Sequence, residues 1–86
     1  MITSKVEYVG GLRTSATHLA SGTTILTDAP TDNHGKGEAF SPTDLVATSY
    51  ASCMLTIIGI YCQSHELPFT HGKAEVTKIM SSTPPR

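Results

Sequence analysis

The longest apolar stretch of the chain lies between residues 41 and 64, and its pattern predicts a single long helix. Ser41 suits the N-cap and Pro42 the first helical position, and Asp44 follows the cap by three residues, as in a capping box. No charged residue follows Asp44 within the stretch, and Pro68 prevents the helix from continuing much further. Its apolar side chains point in every direction around a helix, so we expect this central helix to be buried on most sides.

A membrane span is the competing interpretation of this helix, because about 20 uncharged residues can cross a bilayer. No cluster of lysine or arginine flanks the stretch, and strand-like polar sequence lies on both sides of it. Polar residues and a glycine also interrupt it, at Thr48, Ser49, Ser52, Thr56, Gly59, Gln63 and Ser64. We therefore favour the central helix of a soluble domain over a membrane segment.

Alternation of polar and apolar residues predicts an antiparallel sheet before the helix. Residues 5–9 have the pattern of a half-buried strand, and the glycine pair at 10–11 suits a two-residue hairpin turn. A second strand over residues 12–19 and a turn at 20–22 lead to a third strand over residues 23–27. The opening is therefore predicted to be a three-stranded antiparallel meander, and its threonine content suits one solvated face.

The remaining segments predict a loop, a turn and one further strand. Residues 28–40 are dense in glycine, proline, aspartate and asparagine, which is typical of a loop. After the helix, residues 69–72 turn the chain, residues 73–80 alternate again as a strand, and residues 81–86 resemble the entry to a further turn. The pattern as a whole predicts an α+β fold.

Composition is that of an ordinary small globular domain. The chain has 86 residues, of which 38% are hydrophobic and 15% charged, and its formal net charge is −1. It has no basic stripe, so nucleic acid is not an expected partner, and no signal-peptide pattern, so the expected compartment is the cytoplasm. A domain of this size cannot cover the central helix alone, so we expect a partner subunit, a longer chain, or both.

Several polar residues of the loop invite a metal-binding interpretation. Their spacing does not fit the twelve-residue calcium loop, and no histidine pair has the i,i+4 spacing of a helical metal site. We therefore expect ordinary solvated loop polarity, with no metal and no cofactor. The residues concerned are Asp28, Asp32, Asn33, His34 and Glu38.

Two cysteines, Cys53 and Cys62, lie on the predicted helix. Their separation corresponds to about 900° of rotation and about 13 Å along the axis. The thiols therefore face opposite sides and cannot form a disulfide with each other. We interpret Cys62 as a packing residue, whereas Cys53 is either a buried inert thiol or, if a cation from elsewhere in the fold stabilises its thiolate, a reactive one.

Arg13 is the cation that best suits such a role. It lies at the head of the second strand, directly after the glycine turn, where a long side chain can lean over a neighbouring helix. An exposed strand-end arginine is the simpler interpretation. The four histidines look like surface or capping residues, and we interpret Tyr50, Met54 and Tyr61 as core residues.

The segment around Cys53 carries a recognisable motif. It reads GKGEAFSPTDLVATSYASCMLTIIGIY, with TDAPTDN before it and GGLR near the N-terminus. These residues resemble the OsmC/Ohr family of thiol-dependent hydroperoxide reductases, particularly its OsmC-like branch, which shares the glycine-rich loop, the Ser-Pro pair and the cysteine eleven positions after the proline. The resemblance implies a single OsmC-like domain over residues 1–86 that lacks the family's C-terminal half.

The resemblance also implies roles for particular residues. Cys53 matches the peroxidatic cysteine, whose thiolate attacks the peroxide and becomes a sulfenic acid, and Arg13 matches the arginine that activates this thiolate. In much of the family a carboxylate ten residues before the cysteine pairs with the arginine. In this chain Thr43 holds that position and Asp44 follows it, which makes these two residues the candidates for supporting Arg13.

An activity and partners follow from the same resemblance. The expected function is reduction of organic hydroperoxides in oxidative or osmotic stress, with Tyr50 and Ile57 lining the substrate pocket. The expected assembly is an intertwined homodimer that buries the central helix. Cys62 does not match the family's resolving cysteine, so an external thiol or dithiol would be the reductant. The alternative is a non-catalytic, truncated or diverged member that serves as a dimerisation or small-molecule binding module.

Overall fold

The structure, a computed structural model, describes residues 1–80 of the chain. Its elements are three β-strands, a short 3-10 helix and one α-helix, which confirms the prediction of an α+β fold. The chain divides into a first unit, Met1–Thr43, and a second unit that begins at Asp44. The turn predicted for residues 81–86 lies outside the described residues. The elements are β1 (Ser4–Gly10), β2 (Arg13–His18), β3 (Thr24–Asp28), the 3-10 helix (Thr31–Asn33) and α1 (Pro42–Ser64).

The three strands of the first unit form one antiparallel sheet in the order β1-β2-β3. This is the predicted meander, and its strands begin and end within one residue of the predicted positions. The register of β1 against β2 pairs Tyr8 with Thr14, and the register of β2 against β3 places Arg13 opposite Asp28. The sheet therefore brings an arginine and an aspartate to the same edge.

The first hairpin turn lies one residue later than the glycine pair predicts. Gly10 pairs with Arg13 across the ladder, so the two turn residues are Gly11 and Leu12, whose φ angles are 64° and 63°. Both values are left-handed, as a type I′ turn requires. Glycine adopts this conformation freely, whereas a leucine does so only at a steric cost.

The loop between β3 and α1 folds back onto the end of β3. The amide of Asp28 donates to the carbonyl oxygen of Phe40 at 3.0 Å, and the amide of Gly37 donates to the carbonyl oxygen of Ala29 at 3.2 Å. A Cβ atom at Gly35 would stand 1.7 Å from that same oxygen of Ala29, so only glycine fits there. These contacts hold the loop residues beside Asp28.

Helix α1 begins at Pro42 and ends at Ser64, as predicted. It ends in a Schellman motif, in which Glu66 adopts a left-handed φ of 55° and the amide of Leu67 donates to the carbonyl oxygen of Cys62 at 2.7 Å. By length and composition alone α1 could cross a membrane, but this is weak evidence, because core helices of soluble proteins meet the same criterion.

The single chain does not bury α1, as expected of a domain too small to cover the central helix alone. No residue of the helix is buried, and no hydrophobic side chain is buried anywhere in residues 1–80. The buried residues of this part of the chain are Thr27, Asp28 and Ser41, which are all polar. The physical reason is size, because so short a chain offers too little additional apolar surface to enclose a long apolar helix.

The prediction of a further strand over residues 73–80 is wrong. These residues pair with no other strand within the described part of the chain. Alternation of side chains makes a segment suitable for a strand, but its backbone groups also need a neighbouring strand to bond with. After α1 the second unit instead packs through Phe69, whose ring lies beside Gly59 and Gly72.

Candidate functional site

Two strand ends place an arginine beside a buried carboxylate. Arg13 is the first residue of β2 and Asp28 the last of β3, and directly opposite residues of an antiparallel pair project to the same face of a sheet. Nη2 of Arg13 lies 3.4 Å from Oδ2 of Asp28, whose side chain is 0% exposed. The prediction that Arg13 lies at the head of the second strand is confirmed.

The loop adds a second carboxylate to this pair. Nη2 of Arg13 also donates to Oε1 of Glu38 at 2.8 Å, and the backbone N–H of Glu38 donates to Oδ2 of Asp28 at 3.0 Å. The side chain of Glu38 is 59% exposed. One guanidinium nitrogen is therefore held between a buried and an exposed carboxylate, and we call Asp28 and Glu38 together the carboxylate anchor.

The surroundings of Asp28 lower the pKa of its carboxyl below the ordinary value of 3.8. The largest cause is the hydrogen bond from the backbone N–H of Glu38. Burial acts in the opposite direction, and the charge of Arg13 and the backbone N–H of Lys36 add to the lowering. Asp28 is therefore a carboxylate at neutral pH, so its contact with Arg13 is an ion pair.

The anchor was missed by sequence reasoning, which interpreted Asp28 and Glu38 as solvated loop residues. For Asp28 that interpretation is wrong, because its side chain is buried. The available signal was an acidic residue directly after one predicted strand and an arginine near the start of its neighbour. Among residues 1–80, no three histidine, cysteine, aspartate or glutamate side chains lie close enough together to hold a metal ion.

Most hydrogen-bond donors of Arg13 lie outside the anchor. Both of its described side-chain hydrogen bonds use Nη2, and Nε is buried without a hydrogen-bond partner among the described residues. A guanidinium has five N–H groups in a planar fork. The anchor therefore holds the group by one nitrogen and leaves Nη1 able to bind something else, whereas Nε is buried away from any ligand.

In the second unit, Cys53 lies on an exposed apolar side of α1. At 3.6 residues per turn it shares this side with Tyr50, three positions before it, and Ile57, four positions after it. The buried-thiol interpretation of Cys53 is therefore wrong for the single chain, and so is the prediction that Tyr50, Met54 and Tyr61 are core residues. We call the exposed set the apolar stripe, and it comprises Val46, Tyr50, Cys53, Met54, Ile57, Ile60 and Tyr61.

Cys62 lies on the opposite side of α1 from Cys53. It shares that side with Leu55 and Gly59, and all three are half-buried. Both thiols are free, which confirms that the two cysteines do not form a disulfide with each other. The half-buried position of Cys62 fits its interpretation as a packing residue.

Thr43 and Asp44 have described partners other than Arg13. Oγ1 of Thr43 lies 3.2 Å from Oγ of Ser41, and Oδ1 of Asp44 forms an ion pair with Nζ of Lys78 at 2.9 Å. The carboxylates that the structure describes at Arg13 belong to the carboxylate anchor. A supporting role for Thr43 or Asp44 stays a prediction.

The fold and these side chains define an α+β chain with an anchored arginine on its sheet and an exposed cysteine on its long helix. A crystal structure of a protein from Psychrobacter arcticus 273-4 matches the whole chain, with a TM-score of 0.95 and 64% sequence identity. That protein is provisionally named an osmotic stress induced and detoxification response protein, which fits the OsmC-like resemblance, and the present chain spans 63% of its length. No protein-family model matches the chain, and no curated protein does.

Proposed function

We propose that this protein is a cytoplasmic thiol peroxidase of the OsmC-like class that reduces organic hydroperoxides. The observation that carries the proposal is the anchored arginine. Arg13 is held by Asp28 and Glu38 through Nη2, and its Nε is buried, so the Nη1 N–H groups are the ones available to an anion or a peroxide oxygen. Similarity to a protein provisionally named for osmotic stress and a detoxification response supports a role in stress defence.

Cys53 is the proposed nucleophile. Its thiolate attacks one peroxide oxygen, the O–O bond breaks, and protonation of the departing oxygen gives an alcohol and a sulfenic acid on Cys53. Two equivalents of an external thiol, or one dithiol, then restore the Cys53 thiol and leave as a disulfide, with release of water. Arg13, from the same chain or from a second copy, supplies the positive charge that stabilises the thiolate.

The neighbours of Cys53 indicate the class of peroxide. Tyr50 is 70% exposed and Ile57 is 58% exposed, and both lie on the same side of α1 as the cysteine. An aryl or lipid-like hydroperoxide would bury its apolar tail against them, whereas hydrogen peroxide has no tail to bury. Organic hydroperoxides are therefore the proposed substrates, and hydrogen peroxide is the poorer one.

A homodimer is the proposed assembly, with the apolar stripe covered by a second copy. The single chain exposes 7101 Å² of surface. A folded monomer of its 9.1 kDa mass exposes about 4,900 Å². The excess is about 2,200 Å² per chain, and a dimer in which each chain covers only half of its excess would bury about 2,200 Å² in total, which is within the range of obligate homodimers. Nucleic acid and membrane are not proposed partners.

Trapping of the sulfenic acid tests the proposed function. Intact mass is measured before and after a stoichiometric pulse of cumene hydroperoxide in the presence of dimedone, and we expect one adduct that maps to Cys53. Cys53→Ser should abolish the adduct and peroxide consumption. Cys62→Ser, the matched control on the opposite side of α1, should leave both intact.

Two outcomes would contradict the proposal. Equal loss of peroxide consumption in the two cysteine variants would remove the special role of Cys53. A folded wild-type protein that forms no adduct would favour the non-catalytic dimerisation or binding module.

A further inference from the structure

The geometry points to Asp28 as a positioning residue that holds Arg13 in its working orientation, with Glu38 as a second and replaceable contact. This inference rests on the proposed function, since it assigns a task to a residue beside the proposed activator. Asp28 acts through Arg13 and is not proposed to touch the peroxide. Thr43 has no carboxylate with which to pair the arginine, and the structure shows two other carboxylates at Arg13.

Asp28 and Glu38 differ in how firmly each is held. Asp28 is the last residue of β3, its side chain is 0% exposed, and its Oδ2 accepts the backbone N–H of Glu38. Moving this carboxylate would disturb both the strand end and the loop. The carboxylate of Glu38 is 59% exposed, and an exposed ion pair contributes little. The fixed point for Arg13 is therefore Asp28.

The way in which the anchor holds Arg13 suits a positioning role. Both carboxylates bind Nη2, whereas Nε is buried and has no partner among residues 1–80. Fixing one nitrogen of a rigid planar group restricts the directions in which Nη1 can donate. An activating cation must be oriented before the substrate arrives, because a displacement of about 1 Å can lower a rate about 100-fold.

Nuclear magnetic resonance of the guanidinium tests whether Arg13 is held. In the ¹⁵N-labelled wild-type protein, the Nη2 protons of Arg13 should exchange with water more slowly than those of free arginine. Asp28→Asn should abolish this protection and Glu38→Gln should only reduce it. Glu7→Gln, which neutralises an exposed carboxylate of β1, should leave it unchanged. Unprotected Nη2 protons in the wild type would overturn the inference, even if Asp28→Asn fails to fold.

Peroxide kinetics and cysteine alkylation test whether this holding matters for chemistry. For cumene hydroperoxide we expect kcat/KM to fall about 100-fold in Asp28→Asn and less than about fivefold in Glu38→Gln, with Glu7→Gln unchanged. In Asp28→Asn the pH at which Cys53 begins to react with iodoacetamide should rise. A merely structural role for Asp28 would lower the folded fraction without moving that pH.

The two proposals fail in different ways. If the Asp28→Asn variant consumes cumene hydroperoxide as fast as the Glu7→Gln variant does, the positioning role is overturned and the proposed function stays intact. A wild-type protein with protected Nη2 protons and no peroxide consumption would overturn the proposed function, and the positioning role with it.

Discussion

Truncation of Met54 tests the proposed dimer through the apolar stripe. Met54 lies midway along the length of the stripe and is 64% exposed in the single chain. Full burial of a methionine side chain is worth about 1.5–3 kcal/mol, so covering the exposed part contributes about 1–2 kcal/mol per copy. A symmetric interface contains the residue twice, so Met54→Ala should weaken the dimer by about 2–4 kcal/mol, or about 30-fold to about 1,000-fold in Kd.

Sedimentation velocity over a dilution series measures this change directly. Gln63→Ala is the matched control, since it removes a side chain of similar length from an exposed position of α1 outside the stripe. We expect the control to dimerise as the wild type does. A Kd for Met54→Ala equal to that of the wild type, or a folded wild type that stays monomeric at every concentration, would refute the reasoning.

Two further predictions concern the stability of the first unit at fixed protein concentration. The pKa of Asp28 is lowered from 3.8 in the folded state, so its stabilising contribution is complete above about pH 5 and is lost as the pH falls through the folded value. The difference in unfolding free energy between wild type and Asp28→Asn, measured with denaturant, should shrink below about pH 4, and a difference that stays constant in acid would contradict the ion pair. Leu12→Gly should raise the unfolding free energy by about 0.5–1 kcal/mol, because relief of about 1–2 kcal/mol of left-handed strain outweighs the added freedom of the unfolded chain. Leu19→Gly, at an exposed residue that is not in the left-handed region, is the control and should lower it; a loss of stability in both variants would show that Leu12 is not strained.

The sequence by itself determined the elements whose signals are local. The first residue of α1 follows from the Ser41-Pro42 pair, and its end is consistent with Pro68 a few residues further on. The three strands follow from side-chain alternation and from glycine-containing turns. The position of Arg13 at the head of β2 follows from the same turn, so the candidate activating cation could be found without the structure. Each of these signals lies within a few residues of the element that it specifies.

Only the tertiary structure decided the environments of the candidate site residues. Asp28 is the partner of Arg13 because of the β2–β3 register, and a change of one residue in register moves every side chain of a strand to the other face. Sequence reasoning ended the third strand at residue 27 and so left Asp28 in the loop. The exposure of Cys53 and the missing strand at residues 73–80 have a common cause. Covering a helix or pairing a strand depends on which distant segment is available, and the local pattern does not contain that information.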